Sequence, residues 1–215
     1  MGPPRKKHYS LEQVVAGCSV IAGQIAEVYN KLGSDEINIL YIKNGGSLPG
    51  EILGHMLTER GFFVNLYSPH YGRYDESGFG GKIEIKKDLS RLDKIMIAKS
   101  INRDNLAIHL DELADKGETL EFAREDIKGY GNIDEEKFSN YVFTAVLCRK
   151  PDFAALPDNN PLKASLKFCA YPDAPNRWLT FPWEKDSKFY RKKIANLVYN
   201  APVSELREFA GTLVK

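Results

Sequence analysis

Net charge, cysteine and long apolar runs are all scarce in these 215 residues. Thirty Lys plus Arg stand against 29 Asp plus Glu, a formal charge of +1, so no global field draws the chain toward nucleic acid or an anionic membrane. Any phosphate binding has to be local. Cys18, Cys148 and Cys169 are odd in number and far apart, which speaks against a disulfide framework or a zinc site and for buried thiols in a reducing compartment. Apolar stretches are short and interrupted by charge, none approaching the roughly 20 residues that span a bilayer. The basic start Met1-Gly2-Pro3-Pro4-Arg5-Lys6-Lys7 leads to Glu12 rather than to the apolar segment of a secretory signal, so a cytoplasmic protein is expected. No Gly-rich run ends in Gly-Lys-Ser/Thr, which excludes a Walker loop, and neither internal repeats nor low-complexity segments occur. What remains is a chain long enough to enclose a continuous core, as one large or two small domains.

Hydrophobic periodicity organises that chain. Residues 11–32 carry Leu11, Val14, Val15, Cys18, Ile21, Ile25 and Val28 at helical spacing, with Ser10 and Gln13 placed as a cap. Ile37 to Ile42 reads as a strand ended by the turn Asn44-Gly45-Gly46, residues 50–60 as a helix, and Phe62 to Tyr67 as a second strand. Strand, loop, helix, strand is the unit of a largely parallel sheet. The Tyr-, Gly- and His-rich stretch 68–81 and the alternating Lys82 to Lys86 predict a mobile flap or hairpin. Leu92 to Ser100 and Leu106 to Leu110 are both short apolar stretches, of which one need be a central strand. A helix is expected from Thr119 through Ile127, strands over Tyr141 to Leu147 and Leu166 to Tyr171, and a surface connection over 151–163. Helical periods return at Tyr190 to Tyr199 and from Val203 to Leu213.

The stretch with the most chemistry begins where Leu106 to Leu110 delivers the chain into Asp111-Glu112. The helix beyond starts after Lys116-Gly117-Glu118-Thr119, where amides without intrahelical acceptors can converge on a phosphate. Gly117 permits close backbone approach and Thr119 adds a hydroxyl. Asp111 and Glu112 repel an anion, so their expected task is to hold ribose hydroxyls or Mg²⁺ beside a polyphosphate. An ordinary acidic helix start, with Gly117 merely turning the chain, explains the same string.

This loop resembles the signature of the type I phosphoribosyltransferases: a strand running into two acidic residues, two small or apolar residues, Asp-Thr-Gly, one variable residue and Thr. In that family the segment binds the ribose and 5′-phosphate of phosphoribosyl pyrophosphate. Asp111 and Glu112 match the acidic pair, and Asp115, Gly117 and Thr119 the later positions, while Lys116 stands in place of the usual Thr. Ile42-Lys43-Asn44-Gly45-Gly46-Ser47-Leu48-Pro49 is similar to the family's pyrophosphate loop, with Asn44 where Arg is common; a plain strand-to-helix turn also accounts for it. Ala145 to Pro151 is similar to the strand ending in Lys-Pro of the purine-using members, whose lysine contacts the exocyclic oxygen of a 6-oxopurine. Asn176 to Glu184 resembles the hood segment of xanthine, guanine and hypoxanthine transferases.

The resemblance implies an α/β fold with a mostly parallel central sheet flanked by helices, a small C-terminal hood and a flexible flap. Its expected division is residues 1–10 as an N-terminal tail, 11–150 as the α/β core, 151–190 as the base-binding hood and 191–215 as a helical segment. It also implies transfer of a phosphoribosyl group from phosphoribosyl pyrophosphate, with Mg²⁺, to a 6-oxopurine. Asp115 would serve the base near N7. Asp111, Glu112, Lys116, Gly117, Glu118 and Thr119 would bind the phosphoribosyl group, with Asp111 and Glu112 also at the metal. Lys43, Asn44, Gly45 and Gly46 would bind pyrophosphate; Lys150, Trp178, Leu179 and Glu184 the base; and Tyr71, Arg73 and Tyr74 would act from the flap. A homodimer with small-molecule partners, and neither nucleic acid nor membrane, is expected. The departures at Asn44 and Lys116 keep a second reading open, a non-catalytic purine-nucleotide-binding regulator on the same scaffold.

Overall fold

Ser10 sets the first helix. Its hydroxyl accepts from the Gln13 amide at 3.3 Å while the Gln13 side chain accepts from the Ser10 amide at 2.9 Å, a reciprocal cap for two donors that lack intrahelical partners. This helix, α1 (Leu11–Leu32), follows the short β1 (Lys6–His8) and stops where Gly33 turns left-handed at φ +66°. The chain continues through β2 (Ile37–Tyr41), α2 (Ser47–Glu59), β3 (Val64–Tyr67), β4 (His70–Asp75), β5 (Gly78–Lys87), α3 (Arg91–Asn102), β6 (Leu106–Ala114) and α4 (Glu118–Lys128). After these come α5 (Glu135–Tyr141), β7 (Val142–Arg149), the short α6 (Pro151–Ala154) and α7 (Pro161–Ser165), β8 (Leu166–Tyr171) and β9 (Trp178–Thr180). The computed structural model describes residues 6–43, 45–75 and 78–182, with no side chains described at 72–82, 87 and 178. The expected C-terminal helices lie outside that range, as do Asn44 and Glu184.

Five strands form one parallel sheet in the order β3-β2-β6-β7-β8. Alternation along each strand then decides which helices cover which face. Ile37 and Ile39 of β2, Leu106, Ile108 and Leu110 of β6, and Phe143, Ala145 and Leu147 of β7 pack with α1 and α2 in one core. On the opposite face Leu40, Ala107 and Val142 pack with α3 and with Ile127 and Phe138, and Ile42, Ala114 and Val146 pack with Leu120 and Ala123 of α4. The result is a three-layer α/β domain of the predicted class.

Where two short apolar stretches competed to be the central strand, Leu106–Ala114 is the strand and Arg91–Asn102 the helix, capped by the Ser90 hydroxyl accepting from the Asp93 amide at 3.1 Å. The α1 segment also differs from the expectation of only short apolar runs: its 22 residues have the length and mean hydropathy (1.2) of a membrane-crossing helix by composition alone. Here its apolar face, including Val14, Cys18, Ile21 and Ile25, is buried on the sheet. The stretch 151–163, expected as a surface connection, instead forms α6 and α7, each opened by a proline at the first helical turn. Phe153 and Leu162 turn inward from it. The expected divisions move too: Lys6–His8, assigned to a tail, is a strand, and Leu166–Tyr171, assigned to the hood, is an edge strand of the main sheet.

Candidate functional site

The acidic pair stands at the C-terminal end of the central strand β6, opposite the loop that follows its neighbour β2. The Ile42 amide donates to the Leu110 carbonyl at 2.9 Å and the Gly46 amide to the Ile42 carbonyl at 2.8 Å, folding the loop back over the strand end. At Gly45 a Cβ would lie 1.5 Å from Glu112 Oε2 and 2.5 Å from Asp111 Oδ1, and at Gly46 one would lie 2.4 Å from the Leu110 carbonyl. Only a backbone without side chains fits there. The two glycines and the two carboxyl groups therefore form a single site, which gives the Gly-Gly string a reason that a simple turn does not supply.

Both acidic residues reach the rim, yet their carboxyl groups are enclosed. Oε2 of Glu112 has almost no accessible surface and no hydrogen-bond partner among the described residues. Burial, and after it the charge of Asp111, pushes the Glu112 carboxyl well above the usual carboxylate range. Burial raises Asp111 as well, opposed by hydrogen bonds from the Glu112 side chain and from the Glu112 amide, the latter at 2.9 Å. Two adjacent buried carboxyls are uncomfortable as two anions, so hydroxyl donors or a cation would relieve them. A divalent ion that takes its other ligands from phosphate and water suits such a pair. Among the described residues no cluster of three or more His, Cys, Asp or Glu is placed to hold a metal unaided.

Five residues past the pair, the chain turns at Gly117, which takes φ +85°. A Cβ there would meet Leu162 Cδ2 at 2.7 Å and the Phe153 ring at 2.8 Å. The first bond inside α4 is Glu121 N–H to the Gly117 carbonyl at 2.8 Å, and no side chain caps the helix start. The amides of Glu118, Thr119 and Leu120 precede that first bond at the positive end of the helix. Lys116, next to this turn, is exposed.

Asp115 meets Lys150, whose ammonium donates to Asp115 Oδ2 at 2.9 Å. Parallel pairing of β6 with β7 aligns Ala114 with Arg149, and the Lys150 amide donates to the Ala114 carbonyl at 2.9 Å. The lysine is 8% exposed, and Asp115 is the acidic group that compensates it. The two residues expected at N7 and at the exocyclic oxygen of a purine are thus already together.

Other expected residues divide. Lys43 is exposed beside the Gly-Gly turn, its amide donating to the Pro69 carbonyl at 3.0 Å. Tyr71, expected as a contact on the surface of a flap, is buried at the root of the β4–β5 hairpin. Its hydroxyl donates to Asp126 Oδ2 at 2.8 Å, as the Tyr130 hydroxyl does at 2.9 Å, and its ring meets Phe122 edge-on at 5.6 Å. Asp126, Tyr130 and Phe122 all lie on or just after α4, so this tyrosine anchors the hairpin to the helix that opens after Gly117. Arg73 and Tyr74 belong to β4, but their side chains, like that of Trp178, are outside the described residues. Leu179 is buried in the core that α1 shares.

Sequence reasoning missed a polar column beneath the acidic pair. His109, two residues upstream on β6, is hydrogen-bonded through Nε2 to the Thr144 hydroxyl on β7, which meets the Ser165 hydroxyl at 2.8 Å; that hydroxyl donates in turn to the Leu162 carbonyl at 2.8 Å. Burial, and secondarily Arg124, presses the imidazole down to about 3, so it is neutral. A histidine at an inward position of an otherwise apolar strand was the available signal.

Comparison with known proteins adds the fold. No family model and no curated protein sequence matches this chain. Solved structures do: a protein of Neisseria gonorrhoeae with bound ppGpp superposes with a TM-score of 0.57 at 17% identity, over 91% of this chain and 98% of that one. The xanthine-guanine-hypoxanthine phosphoribosyltransferase of Helicobacter pylori gives 0.53 at 20% identity, over 87% and 99%. The hypoxanthine phosphoribosyltransferase of Trypanosoma cruzi, in complex with the product IMP, gives 0.53 at 14% identity, over 77% and 78%. The chain has the type I phosphoribosyltransferase fold, in the form found among purine phosphoribosyltransferases.

Proposed function

We propose that this protein transfers a phosphoribosyl group from phosphoribosyl pyrophosphate to a 6-oxopurine. The observation carrying this reading is the enclosure of Asp111 and Glu112 against the Gly45 backbone, one turn before an uncapped helix start. Ribose hydroxyls would satisfy the buried carboxyl oxygens, the amides of Glu118, Thr119 and Leu120 would hold the 5′-phosphate, and the loop of Lys43, Gly45 and Gly46 would face pyrophosphate. These groups contribute orientation and preorganised electrostatics around a sugar that gains positive charge as pyrophosphate leaves. Mg²⁺, when bound beside the acid pair, would neutralise the leaving group.

On the base side, the pairing of Lys150 with Asp115 opens when a 6-oxopurine arrives. Its exocyclic oxygen accepts from the ammonium, and its N7–H donates to the carboxylate. The two charges stay compensated while their direct contact is replaced. A pyrophosphate-release assay with phosphoribosyl pyrophosphate, Mg²⁺ and a panel of purines and pyrimidines tests this. Turnover is expected with at least one 6-oxopurine, and strong loss in Asp115→Asn.

A second reading, a non-catalytic purine-nucleotide-binding regulator, is favoured by the similarity over 91% of the chain to a protein solved with ppGpp and by the exposed Lys116 in place of a loop hydroxyl. Binding of a guanine nucleotide in equilibrium titration, with no pyrophosphate released across the panel, decides for it.

A further inference from the structure

Base recognition, on the reading above, depends on β9, the strand carrying Trp178 and Leu179. Among the described residues β9 pairs only with β1: Lys6 lies opposite Trp178, Lys7 opposite Leu179 and His8 opposite Thr180. Two three-residue strands do not hold a position by themselves, so the ends of the ribbon must be fixed elsewhere. Ahead of β9, the Ala174 amide donates to the Arg149 carbonyl at 3.1 Å. Beyond it the anchor is Tyr9. Its amide donates to the Thr180 carbonyl at 2.9 Å, and its ring stacks on Phe181 with centroids 5.4 Å apart and planes 15° from parallel. The ring also meets Tyr171, at 5.3 Å and 44°. Tyr171 ends β8, and its hydroxyl donates to the Gln13 carbonyl of α1 at 2.6 Å. Ser10, the next residue in the chain, caps α1 itself. Tyr9 thereby joins the first helix, the edge of the main sheet and the strand of the proposed hood.

We infer that Tyr9 is a positioning residue for the base side of the site, setting through Phe181 and Thr180 where β9 holds Trp178 and Leu179 relative to Lys150. This rests on the proposed reading of Trp178 and Leu179, on β9, as base-binding residues. The phosphoribosyl side is built separately, from the end of β6, the Gly45 loop and the start of α4, whereas the ring and amide contacts of Tyr9 given above are to Tyr171, Thr180 and Phe181. A change at Tyr9 that leaves the core filled should therefore weaken base binding and spare phosphoribosyl pyrophosphate.

The chain has only two tryptophans, Trp178 and Trp183, both in this segment, so intrinsic emission reports its placement without any turnover. The comparison is wild type, Tyr9→Leu, which keeps a buried apolar side chain but loses the flat face, and Tyr9→Phe, which keeps the ring. Tyr9→Leu is expected to shift the tryptophan emission and to raise KM for the purine about tenfold, with KM for phosphoribosyl pyrophosphate changed by less than about twofold. Tyr9→Phe should restore both signals. A Leu variant with native emission and native purine KM overturns the inference, as does one in which both KM values rise together. Were the wild type to turn over no purine, the functional reading would fall, while the emission of the two variants would still decide whether Tyr9 sets this segment.

Discussion

Gly45→Ala probes the site at its tightest point. The added Cβ would sit 1.5 Å from Glu112 Oε2 and 2.3 Å from Glu112 Cδ, where ordinary contact begins at 3.4 Å. The carboxyl group must retreat by roughly 2 Å, a local overpacking of the kind that costs about 1–3 kcal/mol. Two effects reduce the net loss. The colliding atoms are the end of a side chain and can swing away, and loss of glycine's freedom in the unfolded chain returns up to about 1 kcal/mol. The melting temperature should therefore fall by only a few degrees, at about 2–4 °C per kcal/mol for a chain of this length. Function suffers more, because a displacement of about 1 Å in a positioning group costs on the order of 100-fold in rate. Gly46→Ala should invert the balance, since its Cβ would strike the Leu110 carbonyl at 2.4 Å, a backbone atom that cannot swing away. Gly23→Ala is the control: it lies exposed within α1 with nothing inside 4 Å, and better helix propensity should stabilise it by about 1 kcal/mol. Thermal melts and pyrophosphate release measure all three. Native melting together with native turnover in Gly45→Ala would refute the placement of the acid pair against this loop.

Three further expectations follow from buried polar groups. The His109 pKa is depressed in the fold to about 3, so the neutral ring contributes stability that is complete above the unfolded value near 6.5 and is lost as pH falls below it. Denaturation between pH 6.5 and 5 should show a slope approaching about 1.4 kcal/mol per pH unit that His109→Gln flattens. Glu112 is shifted the other way, so its protonated form is the one the fold favours and stability declines as pH rises above the ordinary carboxylate range. Glu112→Gln should melt higher than wild type at pH 7.5, by about 1 kcal/mol, while losing pyrophosphate release; a lower melting point would contradict the enclosure of this carboxyl. Tyr71→Phe removes the 2.8 Å bond to Asp126 and should lower the urea midpoint by an amount equivalent to about 1 kcal/mol, whereas an unchanged midpoint would mean that the hairpin root is not anchored there.

Elements with one uninterrupted period were legible in the sequence. The Ser10–Gln13 cap and the apolar face of α1 appear as the spacing requires. The competition between residues 92–100 and 106–110 was undecidable locally, because a short apolar run fits a buried helix face and a buried strand equally well; long-range pairing with β2 and β7 settles it. Pro151 and Pro161 read as loop punctuation, yet proline is as much at home in the first turn of a helix. The parallel pairing of β1 with β9 was hidden for another reason. Neither strand has an apolar period, and residues more than 170 positions apart meet through long-range contacts such as the stacking of Tyr9 on Phe181.

The Lys116 departure looks less damaging once the loop's supports are known. Lys116 is exposed, whereas Gly117 has no substitute, being left-handed and pressed against Phe153 and Leu162. The chemical demand of the loop has thus moved from its own hydroxyl to the packing beneath it. The Phe153 part of that packing comes from the four-residue α6, whose preceding residue is Lys150. One short helix therefore places the ammonium beside Asp115 and the ring under Gly117, joining the proposed base side to the proposed phosphate side. Phe153→Leu should accordingly raise KM for the purine and for phosphoribosyl pyrophosphate together, at a stability cost of about 1 kcal/mol. A rise in one KM alone would show that the two sides rest on separate supports.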